Sequence, residues 1–227
     1  MLWVEAMLEF MWTIIATLVF GQTPAAAPEG QPSVVTVSIP ETAMATVAVV
    51  PVPPIYSAWL GEGNNAQRVA MFERELAARG LTGIVPTHEI LRTAIDWERC
   101  GASPFELPEQ SYWRGAFDSL GVIKSDLVPL LGTVEIVSGY RHAALNQCAG
   151  GAPSSVHREF GAFDAFATAA PSREEMIAKL CDWHAKRGTP LRAGLGIYQG
   201  KKFHIDVGMR GHRHWGSDYR AASSPCA

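Results

Sequence analysis

The chain is short of the features that mark several common roles. Its four cysteines include no C-x-x-C pair, which argues against a thiolate-held metal cluster. No uninterrupted apolar run reaches the roughly 20 residues that a bilayer-spanning helix needs. Basic residues are neither in excess nor striped: 19 Lys and Arg stand against 22 Asp and Glu, a formal net charge of −3, so a nucleic-acid partner is not expected. Even the helical zinc motif H-E-x-x-H is missing its end. His88 and Glu89 begin it, but Arg92 occupies the place of the second histidine, and His88 is read instead as a residue at a helix N-terminus.

What is present is a chain of 227 residues, 48% apolar, enough for one well-packed domain with extensions. Residues 1–27 read as an export signal: "FMWTIIATLVFG" (Phe10 to Gly21) has the length of a signal-peptide core, and "TPAAAPEG" supplies small residues for cleavage near Ala25 to Ala27. Glu5 and Glu9 stand where a basic flank belongs, so an uncleaved segment attaching the chain to a membrane, and a buried helix, remain alternatives. Residues 28–55 are rich in Pro, Ala, Val, Thr and Ser and read as a spacer, since proline blocks helix and central strand. "TVAVVPV" within it is the alternative, an edge strand. A domain is expected over 56–220, followed by a tail, 221–227.

Within that domain the hydrophobic period changes along the chain. "NAQRVAMFERELAARG" places Val69, Phe72 and Leu76 on one helical face with Gly80 as a stop, and "PTHEILRTAIDWERCG" repeats the plan as far as Gly101. "GTVEIVSGYR" alternates as a strand does. "SREEMIAKLCDWHAKRG" is a helix opened by a capping box of Ser172 and Glu175 and closed at Gly188. "AGLGIYQGKKFHIDVG" reads as two strands joined around Gln199 and Gly200. Helices followed by hairpin-connected strands indicate an α+β domain with a small, mainly antiparallel sheet flanked by helices.

The chemistry lies in two short stretches. "SSVHREFGAFD" sets His157 and Asp164 seven positions apart, and "KFHIDVG" sets His204 and Asp206 on one face of a strand, with Phe203, Ile205 and Val207 on the other. A carboxylate flanked by Phe163 and Phe166 needs a strong partner if buried. His157, Asp164 and His204 would supply the nitrogen, oxygen and nitrogen of a zinc site that keeps one position open.

"SGYRHAALNQCAGGAPSSVHREFGAFDAF" followed by "GLGIYQGKKFHIDVGMRGHRHWG" resembles the zinc D-alanyl-D-alanine peptidases of the VanY and LAS type, which share the hedgehog/DD-peptidase fold. The resemblance runs from about Leu76 to Gly216. It implies zinc on His157, Asp164 and His204, and Arg141 on a substrate carboxylate or carbonyl, for which a planar guanidinium is suited. It also implies Ser155 near substrate, and peptide bonds at D-alanine in peptidoglycan stem peptides or cross-links as the target, in the periplasm or cell envelope. An ion pair with a neighbouring carboxylate is the structural alternative for Arg141.

Two positions depart from the family pattern. Phe160 stands where the family commonly has glycine, with Gly161 one residue later. Lys201 stands where many members carry the catalytic carboxylate. A peptidase needs a group to take a proton from the attacking water and return it to the leaving amine, and Asp206 is the candidate, with orientation of His204 as its other reading and Glu159 as the fallback. Without such a base the chain would be a zinc-holding cell-wall binding module. For the cysteines, Cys148 paired with Cys181 is expected, both lying within the core of the domain, with Cys100 and Cys226 left open.

Overall fold

The computed structural model describes residues 51–170 and 172–227. The signal segment, the spacer up to residue 50 and most of its alternative edge strand therefore lie outside the described residues. Among the described residues, no helix is long and apolar enough to cross a membrane.

The fold begins at α1 (Pro54–Leu60), with proline in the first turn, where its missing N–H is no loss. It buries Tyr56 and Trp59 against Phe105. Helix α2 (Asn65–Ala78) buries Val69, Phe72 and Leu76 as its period requires. It ends at Gly80, whose φ of +64° lets the Leu81 amide donate to the Leu76 carbonyl.

The second helix is far shorter than its apolar period suggests. Only α3 (Thr87–Ile90) is helical. Beyond it the backbone is drawn into other pairings: Thr93 donates to the Pro104 carbonyl, Glu106 to that of Leu91 and Gly139 to that of Arg92. Of the apolar residues at helical spacing, Ile90, Leu91 and Ala94 are buried, but Ile95 is 60% exposed. Tertiary hydrogen bonds have overridden the local period here.

Helix α4 (Trp113–Val122) runs through one π turn into α5 (Val128–Leu131). Strand β1 (Val134–Ser138), helix α6 (Ala143–Cys148) and strand β2 (Ala162–Ala167) follow. Helix α7 (Arg173–Leu191) is capped by Ser172, whose hydroxyl accepts from the Glu175 amide, and continues past Gly188 with Pro190 inside it. Strands β3 (Gly194–Ile197), β4 (Lys202–Asp206) and β5 (Arg213–Trp215) complete one five-stranded sheet in the order β1-β2-β4-β3-β5. All pairs are antiparallel except β3 with β5. The fold is therefore α+β, with a mainly antiparallel sheet. One sheet face, with Phe163, Ala165, Phe203, Ile205, Leu195 and Ile197, joins the helices in the core.

The disulfides are Cys100–Cys148 and Cys181–Cys226, which corrects the expected Cys148–Cys181 pair. Cys148 ends α6 beside the 96–101 turn, where Arg99 also donates to the Cys148 carbonyl. Cys181 lies on α7, to which the C-terminal residues return. The segment after 220 is thus stapled to α7 through Cys226.

Phe160, at the family's glycine position, holds φ at +52°. Its ring is fully buried against Phe72, Tyr140 and Phe163, so burial offsets the left-handed strain. Gly139 has a different constraint: a Cβ there would stand 2.5 Å from the Ile90 carbonyl oxygen and 3.3 Å from Cε1 of Phe163. Gly139→Ala is therefore expected to cost about 1–3 kcal/mol, the usual penalty of overpacking. A urea melt should show a lower midpoint with an unchanged slope; an unshifted midpoint would refute the close approach.

Candidate metal centre

The site is laid out in rows across the sheet. Register pairs Ser138 with Asp164, Asp164 with His204, His204 with Gly196, and Gly196 with Trp215. In the neighbouring row Ala162 pairs with Asp206, Asp206 with Gly194, and Gly194 with Arg213. Side chains on alternate positions share a face, so Asp164, His204 and Asp206 rise on the face opposite the core. His157 comes from the short turn Val156–Glu159 that precedes β2.

Three ligand atoms converge. His157 Nε2 lies 3.3 Å from Asp164 Oδ1 and 3.1 Å from His204 Nδ1, and His204 Nδ1 lies 3.0 Å from the same Asp164 oxygen. The other ring nitrogens are spoken for: His157 Nδ1 donates to the Gly139 carbonyl at 2.6 Å, and His204 Nε2 donates to Asp206 Oδ2 at 2.9 Å. Those two bonds fix the tautomers that leave a lone pair on each inward nitrogen. Bonds of 2.0–2.1 Å to a tetrahedral zinc imply ligand separations of about 3.3 Å, and the three separations fit. The residues present thus suit zinc, and all three are buried.

The charges follow from this crowding. Burial, joined by the Arg141 guanidinium, pushes His157 down to about 4. Burial would lower His204 too, but hydrogen bonds to Asp164 and Asp206 outweigh it and raise His204 above its ordinary value. Burial would raise Asp164, and the imidazoles of His157 and His204 outweigh that, holding it well below the usual carboxylate range. Asp206 is likewise lowered despite its burial, by His204 and by Arg213.

The ligand group opens into a cavity of about 570 Å³. Arg141 and Ser155 both line it. Arg141 Nη2 stands 3.9 Å from Asp164 Oδ2, while its buried Nε has no hydrogen-bond partner among the described residues. Lys202 Nζ lies 3.8 Å from the same Asp164 oxygen. Lys201, one residue earlier on the opposite face, donates to the Ala170 carbonyl and does not line the cavity. His214 and Trp215 line it as well, with the Trp215 ring 5.0 Å from that of His204. His212 instead stacks at 4.2 Å on His184, a buried core histidine held by the Ala193 carbonyl.

The two carboxylates named as base candidates sit elsewhere. Asp206 is fully buried, with Oδ2 taking bonds from His204 and Arg213 Nη2 and Oδ1 taking one from Arg213 Nη1. It lies behind His204, on the side of the ring away from the inward nitrogen. Glu159 is paired with Arg210 at the surface, outside the cavity lining. The carboxylates that do line the cavity are Asp164 and Asp96, the latter paired with Arg99. Arg213 was not singled out from the sequence; its only signal there is the alternation of "RHW" opposite the two glycines of "GLGI".

The family model described as Peptidase M15 matches residues 115–206. No curated protein and no solved structure matches the chain.

In the metal-free protein His204 is the group that must give up a proton for its inward nitrogen to bind a cation, since His157 is already neutral near pH 7. A raised folded pKa means the proton is held in acid and lost as pH rises. Zinc binding at pH 6 is therefore expected to release about one proton, and affinity to climb with pH until His204 is neutral. Calorimetry in buffers of different ionisation enthalpy reads this directly; zinc binding without proton release at pH 6 would contradict the assignment.

Proposed function

We propose, from the match of residues 115–206 to the family model described as Peptidase M15, that this chain is a zinc-dependent peptidase that hydrolyses peptide bonds at D-alanine in peptidoglycan stem peptides or cross-links, after export to the periplasm or cell envelope. The observation that carries the reading is the set of three inward lone pairs at zinc-like separations in the floor of a cavity that also presents Arg141. Zinc bound by His157, Asp164 and His204 would supply Lewis acidity toward a carbonyl and activation of a water.

The chain's own residues divide the remaining work. Arg141, with its Nε free and its guanidinium facing the cavity, binds a substrate carboxylate or carbonyl; its 3.9 Å approach to Asp164 leaves most of its donors for that task. Ser155, two residues before His157, lines the cavity and serves as a hydrogen-bonding group for the peptide. Asp206 orients: it holds His204 in the tautomer that points a lone pair inward, and Arg213 in turn holds Asp206. The proton-acceptor role is thus not assigned to Asp206, nor to Glu159.

That leaves a reason to keep the binding module as a second reading, because Asp96 is the one carboxylate besides Asp164 that faces the cavity, and it already pairs with Arg99. Turnover separates the two. Purified peptidoglycan incubated with the zinc-loaded protein should release free D-alanine or split cross-links, whichever bond is the target. A chelator should stop this, and His157→Ala should lose both zinc and activity. Zinc retention with no product from any muropeptide would leave only binding.

The orienting role predicts a distinct phenotype for Asp206→Asn: zinc affinity weaker by about 10- to 100-fold, with activity recovered when zinc is in excess. Metal content and rate measured together across a zinc titration check it. A zinc-replete variant that stays inactive would return the proton-acceptor role to Asp206.

A further inference from the structure

The family match ends at residue 206, yet the cavity does not. Arg210, Arg213, His214, Trp215, Tyr219 and Ala221 line it from the segment that follows. Two aromatic rings of that segment, Trp215 and Tyr219, join Tyr198 in a continuous wall that starts at the metal ligands. The Trp215 ring lies 5.0 Å from that of His204, its Nε1 donates to the Tyr198 hydroxyl at 3.4 Å, and the Tyr198 ring meets the Tyr219 ring edge-on at 5.9 Å.

Tyr219, at the outer end, is held in a costly way. Its φ is +63°, a region that bulky side chains avoid. Among the described residues two other non-glycine residues share that sign, and each has an offsetting gain. Phe160 is fully buried, and Arg192 closes the C-terminus of α7 by donating to the Thr189 carbonyl. Tyr219 closes only the turn in which its amide donates to Gly216 and the Gly216 amide to Arg220, a task that asparagine or glycine would do with less strain. Nor does packing explain it, since Tyr219 is 66% exposed. Strain kept at an exposed position beside a cavity is a mark of a ligand clamp.

The turn is nevertheless held in place. Ser223 leaves no room for a side chain at Gly216, whose Cβ would stand 2.2 Å from the Ser223 carbonyl oxygen. The Asp218 carboxylate accepts from the Arg220 amide, and Cys226 is bonded to Cys181 on α7.

We propose that Tyr219 is a specificity-determining residue: with Tyr198 and Trp215 it forms an aromatic subsite that grips the part of a peptide substrate extending out of the cavity, several bonds from the one that is cut. The ligand class, an extended peptide with aliphatic side chains, rests on the proposed function above. On this proposal a dipeptide held at the metal ligands makes no use of Tyr219.

The experiment uses the zinc-loaded, disulfide-bonded chain and compares Tyr219→Asn and Tyr219→Phe with the unaltered protein. The substrates are D-alanyl-D-alanine and a stem pentapeptide. Asparagine tolerates the left-handed conformation, so Tyr219→Asn should melt at the same temperature as the parent or higher. It should raise KM for the pentapeptide about tenfold with kcat unchanged, leave the dipeptide unaffected, and weaken calorimetric binding of the cleaved tetrapeptide product by the same factor. That factor corresponds to about 1.4 kcal/mol of lost binding. Tyr219→Phe should behave as the parent. A lowered melting temperature in Tyr219→Asn would show a structural role and overturn the proposal, as would an unchanged pentapeptide KM and product affinity. A parent protein that neither binds nor cleaves either peptide would overturn the proposed function, and the ligand class with it.

Discussion

Three lone pairs held within 3.0–3.3 Å of one another are a conflict that the fold maintains on purpose. Two neutral imidazole nitrogens and a carboxylate oxygen repel at that distance unless something positive stands among them. In the metal-free chain a proton on His204 does part of this, which is why its affinity for that proton is raised while that of Asp164 is depressed. A dication does it fully. The rest of the site can be understood as the means of preventing the conflict from being relieved by side-chain rotation: Gly139 locks one ring through its carbonyl, and Asp206 locks the other.

Those locks depend on small residues in the sheet. Gly196 lies between His204 and Trp215 in register, and a Cβ there would stand 2.6 Å from the indole nitrogen. Gly194 lies between Asp206 and Arg213, with a Cβ that would reach within 2.3 Å of the Asp206 carboxylate. Because β3 offers no side chain at either position, residues of β5 reach across it to β4. Arg213 can therefore grip Asp206, Asp206 can hold His204, and Trp215 can close over the ligand's flank. The chain of support runs three strands deep and is made of hydrogen bonds between buried or half-buried charges, where the loss of one partner strands the next.

Much of this was legible in the sequence because period and motif spacing agree with the fold. The alternation of "KFHID" placed His204 and Asp206 on one face, and the spacing of "HREFGAFD" carried the other two ligands. The illegible parts are those decided by distant backbone. The apolar period of 87–101 reads as one helix, but Gly139 and residues 104–106 claim its hydrogen bonds after α3. Disulfide partners follow from where chain ends return in space, and position along the chain carries no such information; hence Cys181 meets Cys226. The role of Arg213 was hidden for a related reason. A basic residue in an apparently solvated stretch shows its purpose only once register sets it opposite a glycine.

The division of the site between two parts of the chain has a functional consequence. The ligands and Arg141 lie within 115–206, while the orienting arginine and most of the aromatic wall lie beyond it. On the proposed function, the metal ligands, Arg141 and Ser155 belong to one segment and most of the aromatic subsite to the next, joined through Asp206 at their boundary. The outer segment is anchored independently, by Cys181–Cys226 and by the close seat of Gly216 against Ser223. If Tyr219 grips the substrate as proposed, substitutions in its exposed turn can change that grip without disturbing the ligand geometry. Substitutions at Arg213 cannot, because they act through Asp206 and His204 on the metal ligands themselves. The residues after 206 therefore combine an inner part that supports the metal ligands through Arg213 and Asp206 with an exposed outer turn held by its own disulfide.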